Sequence, residues 1–256
     1  MSGAGEAGRD AAPAMIELRK LTKAFGSKAA LRGIDLRVAP GESLVIFGPN
    51  GAGKTTLIRI LASLSRPTSG KVLIGGLDLA THADGIRRYL GVVSHAPLLY
   101  DSLTAEENLR FFARLYDLPA PGRRIAELLE QVGLAGRRRD LVRTFSRGMV
   151  QRLAIARALL HDPPVHLLDE PDTGLDPQAA EMLHGLLVQL SKTPAAGEGA
   201  LARTIVTVTH SIERGLAIAD RAVILVAGQI AFEGRTAGMT PASFRPLYDR
   251  YVGGGR

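Results

Sequence analysis

The stretch FGPNGAGKTTLIRIL, Phe47–Leu61, puts three glycines, a lysine and two threonines between an apolar strand and an apolar helix. Glycine weakens both kinds of element, so the crowding asks for a reason beyond a packed turn. SLVIF (Ser43–Phe47) is short and apolar, and KTTLIRILASL (Lys54–Leu64) carries apolar residues at helical spacing. Between them Gly48, Gly53, Lys54 and Thr55 fit the pattern G-x-x-x-x-G-K-[ST]. In such a loop backbone N–H groups converge on phosphates at a helix N-terminus, where the helix dipole also favours anions. Gly48, Pro49, Asn50, Gly51, Ala52, Gly53, Lys54, Thr55 and Thr56 therefore form a candidate nucleotide cradle. Lys54 is expected to reach the β- and γ-phosphates, and the Thr55 hydroxyl to ligate Mg²⁺.

The composition suits a soluble globular protein. In 256 residues, 46% are hydrophobic and 22% charged, which is ordinary for a globular chain with a substantial core. The absence of cysteine excludes disulfides, thiolate-bound metal and cysteine catalysis. Residues 1–14, MSGAGEAGRDAAPA, have no long apolar core and are expected to be a disordered tail rather than a signal peptide. No apolar run approaches the roughly 20 residues of a spanning helix. The formal net charge is +7, with arginines concentrated between Arg123 and Arg157. No aromatic residues interleave them, so stacking on single strands has little support and no specific nucleic acid is expected; a solvated basic face is the simpler account.

Further along, Met15–Leu21 and Leu31–Val38 alternate apolar and polar residues, as half-buried antiparallel strands do. Lys71–Gly76 and Leu90–Val93 read as further strands. A helical block follows at Thr104–Tyr116, Arg123–Val132 and Arg147–Leu160, with Thr104 and Glu107 at capping-box spacing. Val165–Leu168, Thr204–Thr209 and Ala222–Ala227 are short runs almost without alternation, as buried parallel strands are. Helices at Pro177–Leu190 and near Ile212–Ala219 separate them, Ser191–Arg203 reads as an exposed loop, and the final GGGR as a frayed end.

VHLLDEPDTGLD (Val165–Asp176) is the second chemical motif. A strand ending in Asp169–Glu170 places two carboxylates beside the phosphate site, one to hold Mg²⁺ and the other, Glu170, to activate the attacking water. His166 within the strand reads as a core histidine with a satisfied hydrogen bond. VTVTH ends another strand at His210, on the carboxyl edge where parallel sheets bind ligands, within reach of a γ-phosphate. In FSRGMVQRLAIARALL (Phe145–Leu160), Ser146 is a plausible N-cap, and with Gly148 it offers donors at a helix start.

GPNGAGKTT, FSRGMVQRLAIARAL, HLLDEPDTGLD and VTVTH, in that order, resemble the ABC-type ATPases from Ile16 to about Gly234. The resemblance implies an ABC-type P-loop ATPase fold: a RecA-like, mainly parallel α/β core, an N-terminal antiparallel β subdomain and an inserted helical subdomain. The domain would span 15–240, with the insertion at about 96–160, and 241–256 would form a C-terminal helix and flexible tail. It implies a head-to-tail homodimer holding two ATP molecules, with Glu170 and His210 catalytic and Thr55 and Asp169 on Mg²⁺. Ser146, Arg147, Gly148 and Met149 would face the nucleotide of the opposite protomer, Phe25 would stack on adenine, and Asp176 would lie in the loop crossing the interface. A separately encoded integral membrane subunit would hold the dimer at the cytoplasmic face of the inner membrane.

Two departures stand out. The signature keeps Ser146 and Gly148 but has Arg147 and Met149 where the family has glycine and glutamine. His95 stands where many members place a glutamine that touches Mg²⁺, a position a histidine suits poorly. Val92–Leu118 together with the Phe145 segment resembles one subgroup, the ATP-binding subunit of the haem exporter of cytochrome c maturation. Exporters of drugs and polysaccharides share LTAEENLRFFARLY and are the alternative; an ATPase acting on nucleic acid or the ribosome is a second.

Overall fold

The computed structural model describes residues 14–193 and 203–253. Most of the expected tail, the 194–202 part of the expected loop and the last three residues lie outside the described residues. Two sheets organise the chain. The first is antiparallel, in the order β2–β1–β4–β5, from β1 (Ile16–Phe25), β2 (Lys28–Val38), β4 (Ser69–Ile74) and β5 (Leu77–Asp78). Its alternation, legible in Leu31–Val38, buries Leu31, Ile34, Leu36 and Val38 and leaves the residues between exposed.

The second sheet has the order β10–β9–β3–β8–β7–β6. It joins β3 (Ser43–Phe47), β6 (Leu90–Val93), β7 (Val165–Asp169), β8 (Thr204–Val208), β9 (Arg221–Val226) and β10 (Gln229–Arg235). All pairs are parallel except β10 with β9. β3, β7 and β8 are buried at every position because helices cover both faces. Leu44 and Ile46 pack in the core under α1 (Lys54–Leu61), whereas Val45 and Phe47 face the opposite cluster with Ile212 and Phe244. Those two residues belong to α7 (Ile212–Ile218) and α8 (Pro241–Gly253).

The expected helical block is present as α3 (Ala105–Leu115), α4 (Gly122–Gln131) and α5 (Arg147–Leu159). Both halves of the capping box form at Thr104 and Glu107. Leu109, Leu128, Leu153 and Ala156 close one core with Leu183 and Leu187 of α6 (Pro177–Lys192). Three differences from the sequence reading concern elements too short or weakly patterned to stand out: α2 (Leu79–Arg87), β5 and β10. Two concern ends. α6 runs past Ser191 to Lys192, and Gly253 closes α8 instead of belonging to a frayed end.

Strand register decides where the chemistry meets. Ile46 is level with Val208, Val208 with Asp169, and Val93 with Leu168. The segments that follow β3, β8, β7 and β6 therefore leave the same carboxyl edge side by side.

Candidate functional site

After Phe47 the chain enters the glycine loop. Gly51 adopts φ +79° in open space, so only its backbone conformation calls for glycine. Gly48 and Gly53 are constrained by packing as well. A Cβ on Gly48 would stand 2.2 Å from the Leu225 carbonyl oxygen, and one on Gly53 2.5 Å from that of Ala30. The loop is wedged between β9 and β2, and two of its three glycines are demanded by the fold before any phosphate arrives.

Lys54, 6% exposed, starts α1 and donates to the Gly48 and Pro49 carbonyls at 2.8 and 3.0 Å. Burial pushes its pKa down, and the nearby Glu170 and Asp169 carboxylates oppose that shift. Thr55 Oγ1 donates to Asp169 Oδ1 at 3.3 Å. Burial raises the Asp169 pKa; the Thr55 hydrogen bond, His95 and Lys54 pull it back, while Glu170 adds to the rise. A hydroxyl and a carboxylate side by side are hard oxygen donors, the set Mg²⁺ takes. Among the described residues no three His, Cys, Asp or Glu side chains gather to hold a metal.

Glu170 follows β7 with φ +51°, its N–H bonded to the Val208 carbonyl. That strained turn aims its carboxylate back across the sheet edge. His210 Nε2 lies 2.7 Å from Glu170 Oε1, and Thr173 Oγ1 donates to Oε2 at 3.3 Å. Glu170 lines two clefts. One, of about 300 Å³, includes Phe25, Lys28, Asn50, Lys54 and Thr55; the other, of about 240 Å³, includes His95, Phe145, Arg147, Gln151 and Asp169. Phe25 is 57% exposed, a ring presented beside the loop and not a core residue. A separate cavity of about 490 Å³ between α4 and α6 touches none of these groups.

Ser146 caps α5, its Oγ accepting from the Met149 N–H at 3.3 Å. Arg147 lies over the Gly174 turn, where an added Cβ would meet its side chain at 3.0 Å. Gly148 stands next to the Gly174 carbonyl. Asp176 caps α6 through the Ala179 N–H, at 2.8 Å. Within this single chain Lys54, Thr55, Asp169, Glu170, His95 and His210 come together, whereas Ser146 lines neither cleft. His166 is buried as expected and keeps a hydrogen bond to the Pro163 backbone, but its Nε2 has no hydrogen-bond partner among the described residues. Burial, helped by Arg203, lowers its pKa to about 4.

The sequence reading missed Gln151 and Asn108. Gln151 Nε2 donates to the Pro171 carbonyl at 2.9 Å and tethers the loop after Glu170 to α5. Asn108, fully buried, exchanges hydrogen bonds with Tyr100 and so holds the segment after His95. Both act on backbone carbonyls or amides, which leaves no spacing signal.

Residues 31–173, more than half of the chain, match the family model described as ABC transporter. The linearmycin resistance ATP-binding protein LnrL of Bacillus subtilis (strain 168) is 34% identical over 84% of this chain and 68% of its own length. The daunorubicin resistance ATP-binding protein DrrA3 of Streptomyces coeruleorubidus is 39% identical over 83% of this chain, which spans 65% of that protein. NatA, an ABC transporter ATP-binding protein of the same Bacillus strain, is 35% identical over 86% of this chain and 89% of its own. Among solved structures, an ATP-binding subunit of an ABC transporter superimposes with a TM-score of 0.81 at 30% identity, covering 93% of this chain and 99% of that one. A dimeric ATP-binding cassette in a post-hydrolysis state, bound to ADP and Pi, gives 0.78 at 31% identity, covering 88% and 100%. With the loop, the carboxylate pair and the histidine on one sheet edge, this chain belongs to the ABC transporter family as an ATP-binding subunit.

Proposed function

We propose that the chain is the ATP-hydrolysing subunit of an ABC exporter, acting as a homodimer on a separately encoded membrane subunit. The observation that carries the reading is the meeting of Lys54, Thr55, Asp169, Glu170 and His210 at one strand edge. In this reading the loop amides and Lys54 bind the phosphate tail. Thr55 and Asp169 would hold Mg²⁺, which neutralises charge on the phosphate oxygens. Glu170 accepts the proton of the attacking water, and His210, already against its carboxylate, orients the pair toward the γ-phosphate. Phe25 supplies a ring for the base. Ser146, Arg147, Gly148 and Met149 act on the partner's nucleotide, and Asp176 lies near the protomer boundary.

No helix among the described residues is long and apolar enough to cross a membrane, in keeping with attachment to the cytoplasmic face of the inner membrane through a partner. Relatives named for resistance to daunorubicin and linearmycin, and for Nod factor export in Cupriavidus metallidurans, favour the drug-exporter alternative. The haem-export reading rests only on the resemblance of Val92–Leu118 and the Phe145 segment, His95 included. The exporter alternative is therefore the better supported of the two.

The test is Glu170→Gln. Hydrolysis should fall about 10²–10⁴-fold, the range of a general base, while nucleotide binding persists. ATP-dependent dimers should then accumulate on size exclusion. Undiminished turnover would overturn the assignment.

A further inference from the structure

The Glu170–His210 contact has a second ion pair beside it. Two residues beyond Glu170, Asp172 Oδ2 accepts from Arg214 Nη1 at 2.8 Å, four residues beyond His210. The two contacts tie the same two segments, the turn after β7 and the start of α7, at two points. Each end is anchored on its own side. The Asp172 carbonyl accepts from the Leu175 N–H at 3.2 Å, and the Pro171 carbonyl from Gln151. The Arg214 N–H donates to the capping oxygen of Ser211, which holds the arginine to the first turn of α7. Pro171, Thr207, Thr209 and Gly215 line, together with the pair itself, a small cleft of about 30 Å³. α7 therefore cannot shift far relative to the turn without breaking the pair.

His210 is 48% exposed in its side chain, and among the described residues Glu170 is the polar partner of its ring, so its place depends on where its backbone is held. From this we propose that Arg214 and Asp172 are positioning residues for hydrolysis. Their ion pair fixes α7 against the turn so that His210 stays within hydrogen-bond distance of Glu170. Neither touches the reacting atoms. As a partly exposed pair, with side chains 40% and 21% accessible, they contribute little to global stability, and the effect belongs in turnover.

The inference rests on the hydrolytic reading of the site, and the experiment separates the two. Steady-state ATPase is measured on the full-length chain with Mg²⁺ for wild type, Glu170→Gln, Arg214→Ala, Asp172→Ala, the double alanine variant, and the exchange Asp172→Arg with Arg214→Asp. Each alanine variant should lower kcat about tenfold with KM for ATP and melting temperature nearly unchanged, since small misplacements of catalytic groups are costly. The double variant should be no worse than either single one, and the exchange should recover most of the rate. Should Arg214→Ala not fold, Arg214→Lys, which keeps the cation, is compared with Arg214→Gln, which does not; only the lysine should retain turnover. Wild-type turnover that Glu170→Gln does not reduce would defeat the hydrolytic reading. Turnover abolished by Glu170→Gln but unaltered by Arg214→Ala and Asp172→Ala, or additive losses without recovery in the exchange, would overturn the positioning role alone.

Discussion

At the carboxyl edge of the parallel sheet the buried cation Lys54 faces Asp169 and Glu170, whereas toward the amino edge His161, His166 and Arg203 lie near Asp162, with Arg157 beside His161. Lys54 and Asp169 are both driven toward neutrality by burial, and each pulls the other back toward its charged form. At the amino edge Asp162 also pulls the two histidines toward their charged form, but burial outweighs it. Both fall to about 4, with burial the main cause and a neighbouring arginine adding to it. One sheet thus buries ionisable groups in two ways: by pairing charges where a ligand is to be bound, and by discharging them where only packing is needed.

Removing Lys54 would break the first arrangement outright. In Lys54→Ala the Asp169 carboxylate loses a compensating cation, and its pKa should rise further. The phosphate tail loses a charged hydrogen-bond donor, worth about 3 kcal/mol, so affinity for a fluorescent ATP analogue should weaken roughly 100-fold. Equilibrium titration of folded variant and wild type checks this, and an unchanged Kd would show that the lysine is structural only.

The same edge should also be mechanically intolerant. Gly48→Ala combines a φ of +151° with a Cβ directed into the Leu225 carbonyl oxygen. It should destabilise the fold by about 2–3 kcal/mol, read from urea midpoints with or without nucleotide. Gly51→Ala, in open space, should cost less, because only backbone conformation opposes it.

How much of this was legible follows from where the signals lie. The loop motif, Asp169–Glu170 and His210 were visible because chemistry-bearing residues end apolar runs, and strand register then brings those ends level. The capping box at Thr104 was visible because it is local. The packing role of Gly48 was not, because its neighbour, Leu225, is far away in sequence and contributes only a backbone oxygen. The unsatisfied Nε2 of His166 was hidden for a similar reason: what surrounds it comes from other strands and from Arg203. α2 and β10 carry short or ambiguous periodicity, and they were fixed by tertiary pairing.

The amino edge should reveal itself in acid. A histidine at about 4 in the folded state and 6.5 when unfolded takes up a proton on unfolding. Its contribution is complete above pH 6.5 and is lost as pH falls toward 4. Each such group adds up to about 1.4 kcal/mol per pH unit to the slope in that window. His166→Leu should make the slope shallower by about that amount, measured from urea unfolding at pH 7, 6, 5 and 4.5. An unchanged slope would mean that His166 keeps its ordinary pKa in the fold.

Arg157→Met should give the smallest effect and is the finest probe of the comparison. Arg157 is 7% exposed, donates to the Val92 carbonyl at 2.6 Å and lies over the Phe112 ring, but its Nε has no partner. Methionine keeps the length, removes a desolvated charge and leaves one carbonyl unpaired, so stability near pH 7 should change by no more than about 1 kcal/mol. The informative change lies elsewhere. Arg157 helps to depress the His161 pKa, so without it that imidazole should titrate closer to its unfolded value. The histidine then takes up less of a proton on unfolding, and the acid limb flattens slightly, in the same direction as His166→Leu but by less. A steeper limb would mean that the apolar methionine strips more hydration from the histidine than the lost repulsion returns, and that burial outweighs the neighbouring charge at the amino edge.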